Sequence, residues 1–137
     1  MRYPIVIHKD PGSDYGVTVP DLPGCFSAGA TLDEAIENAR EAIACHLEGM
    51  LLDGEPLPEP GTVEQHQAHP DYAGGIWSVV EVDLARLGGK ARRVNITLPE
   101  RVLALIDQAA RRRGESRSGF LARAALEAVA REDEEAA

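Results

Sequence analysis

Apolar positions along this chain change their period in a fixed order. Tyr3-Pro4-Ile5-Val6-Ile7 is a short apolar run, and after a turn at Asp10-Pro11-Gly12 the apolar residues of Tyr15-Gly16-Val17-Thr18-Val19 alternate with the others. Two such runs with a tight connection predict a β-hairpin. Cys25-Phe26-Ser27-Ala28-Gly29 has the length of a third, partly buried strand, while Pro20 and Pro23 disfavour a central strand for the link before it.

From Thr31 to Asp53 the period becomes helical. Leu32, Ile36, Ala39, Ile43, Leu47 and Met50 recur every three or four residues, which puts them on one face to lie across the sheet. Thr31 with Glu34 three residues later predicts a capping box, each side chain accepting from the other residue's free N–H, and Gly54 is the expected stop. Asp33, Glu37 and Glu41, with Glu48, form a separate acidic stripe. The segment from Gly54 to Gly75 is rich in Pro and Gly, so no regular element is expected there, and a loop of that length either is functional or wraps the surface. Ile76 to Leu84 then reads as the last strand, with Ile76, Val80, Val82 and Leu84 on one face. Trp77, out of phase with them, is expected to pack in the core, with an interface anchor as the alternative.

Gly88-Gly89 reads as a hinge, dividing the chain into residues 1–88 and 89–137. Beyond it, Arg93-Val94-Asn95-Ile96-Thr97-Leu98 alternates strictly, placing Val94, Ile96 and Leu98 towards one side and Arg93, Asn95 and Thr97 towards the other. Pro99 fits the first position of a helix whose apolar face is Val102, Leu103, Ile106 and Ala109/Ala110. That helix ends at Arg111-Arg112-Arg113-Gly114, with cations near the last carbonyls and Gly as the stop. Ser116 is a good N-cap for a second helix burying Phe120, Leu121, Ala124, Ala125, Ala128 and Val129. The predicted class is α+β: a small antiparallel sheet with one packed helix, followed by a β-α-α module.

Charge sharpens this division. The 137 residues carry a net charge of −9, yet residues 1–88 hold 4 Lys/Arg against 15 Asp/Glu, a net of −11. Residues 90–131 hold 10 against 4, a net of +6, and Glu132-Asp133-Glu134-Glu135 supplies the rest. An acidic body joined to a basic arm points to two partners of opposite charge. The first ten residues are too short an apolar run for a signal peptide or a membrane span, so a cytoplasmic protein is expected. Cys25 and Cys45, both in apolar surroundings, read as two buried thiols of a reducing compartment.

Two resemblances follow from these motifs. Tyr15-Gly16-Val17-Thr18-Val19-Pro20-Asp21-Leu22-Pro23-Gly24-Cys25, with Gly29-Ala30-Thr31-Leu32-Asp33-Glu34-Ala35 and Asn38-Ala39-Arg40-Glu41-Ala42, closely resembles the N-terminal domain of HicB-type antitoxins over roughly residues 3–84. Val19 and Ala30 stand where a bulkier aromatic and an acidic residue are often found. The resemblance implies a truncated RNase H-like fold that binds and masks a HicA-type toxin, a small basic mRNA-cleaving protein with a double-stranded-RNA-binding-like fold and a catalytic His. Asp33, Glu37, Glu41 and Trp77 are the candidate toxin-facing residues. Residues 92–131, through Leu98-Pro99-Glu100 and Gly114-Glu115-Ser116-Arg117-Ser118, resemble a ribbon-helix-helix module. That resemblance implies a homodimer, with tetramers as a further possibility, whose paired strands enter the major groove of operator DNA. Arg93, Asn95 and Thr97 would then contact bases, and Ser116, Arg117 and Ser118 a phosphate.

The expected function is thus an antitoxin that also represses its own operon, without enzymatic activity, cofactor or metal. Two alternatives stand beside it. One is an orphan regulator whose body senses a small ligand. The other is a metal-dependent nuclease built on Asp14, Asp21 or Asp33, although such chemistry needs carboxylates converging on metal ions and each of these has a local structural role instead. Cys45-His46 and His66-x-x-His69 do not match the usual zinc spacings.

Overall fold

The hairpin forms where the alternation predicts it: β1 (Arg2–Lys9) pairs antiparallel with β2 (Tyr15–Thr18) in the register Val6↔Thr18 to Lys9↔Tyr15. The structure, a computed structural model, describes residues 1–87 and 91–136. The hinge expected at Gly88-Gly89 lies outside the described residues. Two compact units result, one of Arg2–Leu47 with Pro58–Val82, the other of Met1, Glu48–Leu57 and Asp83–Ala137.

In the first unit β3 (Phe26–Gly29) joins β2 and β4 (Ile76–Glu81) joins β1, giving an antiparallel sheet in the order β3-β2-β1-β4. Tyr3 to Ile7 are buried without interruption, as a central strand covered on both faces requires. Pro4 is tolerated because β1 is paired there with β4 alone; the β2 ladder begins only at Val6. α1 (Leu32–Leu52) supplies a buried stripe of Ala35, Ala39, Ile43 and Leu47, spaced every four residues. Leu32, Ile36 and Met50, expected on that face, flank it and are only half-buried. Burial of Ile43 and Leu47 contributes roughly 1.5–3 kcal/mol each. The Glu34 N–H donates to Thr31 Oγ1 at 3.1 Å, one of the two bonds of the expected capping box, and Asn38 Nδ2 ties the helix to the Ala28 carbonyl at 2.8 Å.

The Pro/Gly-rich segment departs from expectation. It contains a short helix, α2 (Val63–His66), opened by a reciprocal Thr62/Gln65 capping box, and a 3-10 turn at Pro70–Tyr72. It is also fastened to the sheet: the Tyr3 hydroxyl donates to the Pro58 carbonyl at 2.7 Å, and Gly75 lies so close to Val6 that a Cβ would approach it to 2.3 Å. β4 is shorter than predicted. Val80, Val82 and Leu84 are buried, but Leu84 stands in a 3-10 turn (Leu84–Arg86) and Ile76 is half exposed on the edge strand.

The second unit holds α3 (Glu100–Arg113) and α4 (Arg117–Ala136). α3 starts one residue after the predicted position, with Pro99 as its N-cap. Gly114, at φ 67°, ends it in the left-handed conformation that glycine adopts without strain. The Gly114 and Glu115 N–H groups return to the Arg111 and Ala110 carbonyls at 3.2 and 2.9 Å. The Gly54 and Glu55 N–H groups close α1 in the same way on Leu51 and Met50.

Candidate functional site

The start of α4 is the most elaborate polar cluster in the second unit. Ser116 caps the helix, its Oγ accepting from the Gly119 N–H at 2.9 Å while donating to Asp83 Oδ1 at 3.1 Å. That same carboxylate oxygen accepts from the Ala85 N–H, so Asp83 joins the turn before the arm to the first turn of α4. Arg117 presents its guanidinium edge to Asp107 of α3, with Nε and Nη2 each 2.8 Å from a separate carboxylate oxygen. The arrangement is the two-toothed fork of a strong arginine–carboxylate pair. It lies in solvent, the Arg117 side chain being 55% exposed. The hydrogen bonds from Arg117 hold the Asp107 carboxyl below the ordinary carboxylate range; partial desolvation opposes this, and the charges of Arg117 and Arg111 add to it. Ser118 is exposed beside them. Asp107, Ala110, Arg111, Glu115, Ser116, Arg117 and Ser118 line one open concavity.

Beneath this surface, Arg123 is buried between Glu115, both of whose carboxylate oxygens are 3.2 Å from Nε, and Glu127, 2.7 Å from Nη1. Its guanidinium carbon also stands 5.1 Å from the Phe120 ring centroid. Burial disfavours its charge, yet the hydrogen bonds and charges of both glutamates outweigh that and raise its pKa.

Residues 91–99 form no strand within the single chain, and Arg93, Asn95 and Thr97 are all exposed. Their apolar alternates are exposed as well: Val94 is 71% and Ile96 61% accessible. The apolar face expected on α3 and α4 is likewise incompletely covered, with Val102 and Val129 exposed and Phe120, Leu121 and Ile106 at most partly covered or lining its edge. Within one chain, Val94 and Ile96 therefore do not pack on the helices as the alternation suggested.

In the first unit Asp33, Glu37 and Glu41 stand exposed along one side of α1, with Glu37 paired to Arg40. Trp77 is half-buried on β4, where its ring meets Tyr72 edge-on at 5.7 Å. Asp21 is engaged in holding the loop: Oδ1 is 2.9 Å from His66 Nε2 and Oδ2 accepts from the Gly61 N–H at 2.9 Å. His69 accepts from the Asp71 N–H to open the 3-10 turn. Among the described residues no cluster of three or more His, Cys, Asp or Glu is placed to hold a metal ion, and no helix is long and apolar enough to cross a membrane. Cys25 is buried, but Cys45 is exposed, contrary to the expectation of two buried thiols. It lies off the Ala35/Ala39/Ile43/Leu47 stripe, on the outer side of α1.

Sequence reasoning missed Asp83, Asp107 and the Arg123 cluster. The Arg123–Glu127 spacing of four residues on a helix was a readable signal; the Asp107–Arg117 pairing, reached across the Gly114 turn, had none.

The chain is similar to known proteins in sequence and fold. A family model described as the HicB-like antitoxin of bacterial toxin–antitoxin systems matches residues 3–125. An uncharacterized 14.9 kDa protein of the rep–hol intergenic region of Haemophilus phage HP1 is 50% identical over 127 residues, covering 91% of this chain and 95% of that one. The crystal structure of the Burkholderia pseudomallei antitoxin HicB is similar with 53% identity and a TM-score of 0.73 over 93% of this chain and 98% of that one. A chain of a HicA3–HicB3 toxin–antitoxin complex is similar with 38% identity and a TM-score of 0.51, over 59% of this chain and 96% of that one. With its family model spanning nearly all of the sequence, the chain belongs to the HicB-like antitoxins of bacterial toxin–antitoxin systems.

Proposed function

We propose that this antitoxin neutralises a HicA-type toxin, a small basic mRNA-cleaving protein, through residues 1–88 and represses its own operon through a ribbon-helix-helix module in residues 89–137. Family membership over residues 3–125 carries the antitoxin reading. The choice of toxin is supported by the likeness to a chain from a HicA3–HicB3 complex. The net charge of −11 on residues 1–88 gives it a physical basis. Self-repulsion in so acidic a body is relieved by a cationic partner, and the same field steers that partner in. Asp33, Glu37, Glu41 and Trp77 are the proposed contact residues, on a body read as a truncated RNase H-like fold.

For the arm, the supporting observation is the exposure of Val94 and Ile96 beside incompletely covered helices. A two-helix unit of this size buries too little to be stable alone, and pairing two copies of the 93–98 strand would cover that apolar face in a dimer. The paired ribbon fits the major groove, with Arg93, Asn95 and Thr97 towards base edges and the start of α4 towards a phosphate. Electrophoretic mobility of the chain's own promoter fragment tests the arm: retardation at a defined site by a dimer supports it, and binding no tighter than to random duplex removes it.

A further inference from the structure

Arg117 is the residue that the DNA reading assigns to a phosphate, yet its guanidinium is already engaged at both ends of its fork by the two oxygens of Asp107, each at 2.8 Å. A carboxylate pairing in this geometry offers the same two-oxygen face that a phosphodiester would. The pair is exposed, so it contributes little to the stability of the fold. Its main consequence is for what else Arg117 can bind.

We propose that Asp107 is an internal competitor for the Arg117 phosphate contact, setting how strongly the module holds DNA of any sequence. The proposal rests on the DNA-binding reading of the arm. Three features of the geometry support it. Asp107 and Arg117 line the same open concavity at the start of α4, so an incoming phosphate meets the pair together. Ser116, the neighbouring hydroxyl, is committed to its cap and to Asp83, and of the two cations in the concavity, Arg117 and the exposed Arg111, it is Arg117 that Asp107 binds through both oxygens. Finally, Asp107 also feels Arg111, and its carboxyl is held below the ordinary range, so it stays ionised wherever the protein is folded at ordinary pH.

The exchange is between equals in charge. A phosphate taking the Nε/Nη2 edge displaces the carboxylate, and one sharing the guanidinium meets its negative charge, so each phosphate contact made by Arg117 is offset. The phosphate part of binding, which every duplex supplies, is thereby weakened. Promoter and random complexes carry that offset alike, and Arg93, Asn95 and Thr97 supply the base readout that separates them.

The test uses the full chain and two duplexes of equal length, one from its own promoter and one of random sequence, titrated by fluorescence anisotropy across a range of salt. Asp107→Asn is expected to tighten random-duplex binding roughly tenfold per protomer at low salt, the effect of one charge-assisted contact in each. The slope of log Kobs against log salt should steepen by about 1.8 for the dimer, one phosphate's worth per protomer, and the promoter-to-random ratio should stay near its parent value. The gain should vanish in an Arg117→Ala background, and Asp107→Glu should keep the parent slope, with thermal melts confirming that each variant is folded. A gain of equal size without Arg117 would show only the removal of a negative charge and would overturn the proposal. A loss of affinity in folded Asp107→Asn would overturn it too, by making Asp107 a support for Arg117. If the parent chain binds neither duplex at low salt, the DNA reading itself fails, an outcome distinct from both.

Discussion

Glu115 and Arg123 form an ion pair at 3.2 Å with side chains only 1% and 5% exposed, directly under the turn that joins α3 to α4. Glu127, at 43% exposure, closes the pair into a triad from the next turn of α4. Breaking a buried pair from one side leaves a desolvated charge behind. Glu115→Ala should therefore destabilise the chain towards the low end of about 3–5 kcal/mol, since Glu127 and nearby water partly compensate. Replacing the exposed Arg40, which pairs with Glu37, should leave the unfolding midpoint unchanged. Chemical denaturation at fixed protein concentration checks both.

Two close approaches in the first unit admit no side chain. A Cβ on Gly29 would lie 2.4 Å from the Ala35 backbone nitrogen, and one on Gly75 would lie 2.3 Å from Val6 Cγ2. Gly29→Ala and Gly75→Ala should each cost about 1–3 kcal/mol by overpacking. They should differ in rescue. Val6→Ala removes the methyl that a side chain at position 75 would strike, so Val6→Ala combined with Gly75→Ala should cost less than the sum of the two. The obstacle at Gly29 is backbone, which no second substitution removes. Thermal melts of the three single variants and the double variant measure this.

The thiols should differ in reactivity. Burial, followed by the neighbouring Cys45, pushes the Cys25 thiol above its ordinary pKa, so at neutral pH it is protonated as well as shielded. Alkylation of the native protein at pH 7–8 should label one cysteine per chain, Cys45, by peptide mapping. Cys25 should react only at higher pH or after unfolding. Equal rates at both would contradict the burial of Cys25.

On the DNA side, Arg93→Ala or Asn95→Ala should weaken promoter binding by roughly 1–3 kcal/mol and relax base preference at the contacted positions. Arg117→Ala should weaken all sequences alike and flatten the salt dependence. Binding to a panel of single-base operator variants separates the two classes of loss.

Much of the fold was legible because the relevant physics is local. The β1–β2 alternation, the Thr31 cap, the Ser116 cap and the Gly54 and Gly114 stops each depend on residues within one or two turns. The Thr62/Gln65 capping box is equally local, but Pro56, Pro58, Pro60 and Pro70 surround it and mask its signal. The exposure of Ile76 and Cys45 depends on the edge of the sheet and on the angular phase of α1, which only tertiary packing settles. Of the candidate site, residue types and positions were legible, whereas the Asp107–Arg117 pair comes from the α3–α4 crossing and the Glu115–Arg123 pair from the turn folding back over α4. Val94 and Ile96 show the remaining gap: their alternation asks for cover that a single chain does not supply.

Neutralisation of a toxin is the central claim, and copurification tests it most directly. The full chain is co-expressed with the product of the short open reading frame adjacent to its gene, if basic, or otherwise with a HicA-type toxin, and the pair is followed through size exclusion at low and high salt together with an mRNA-cleavage assay. A stable complex in which cleavage is abolished, weakened by reversing the charge of Asp33, Glu37 and Glu41 but unaffected by Arg93→Ala, Asn95→Ala and Arg117→Ala, is the predicted result. Failure to copurify at low salt, with cleavage continuing in the presence of excess chain, would contradict it.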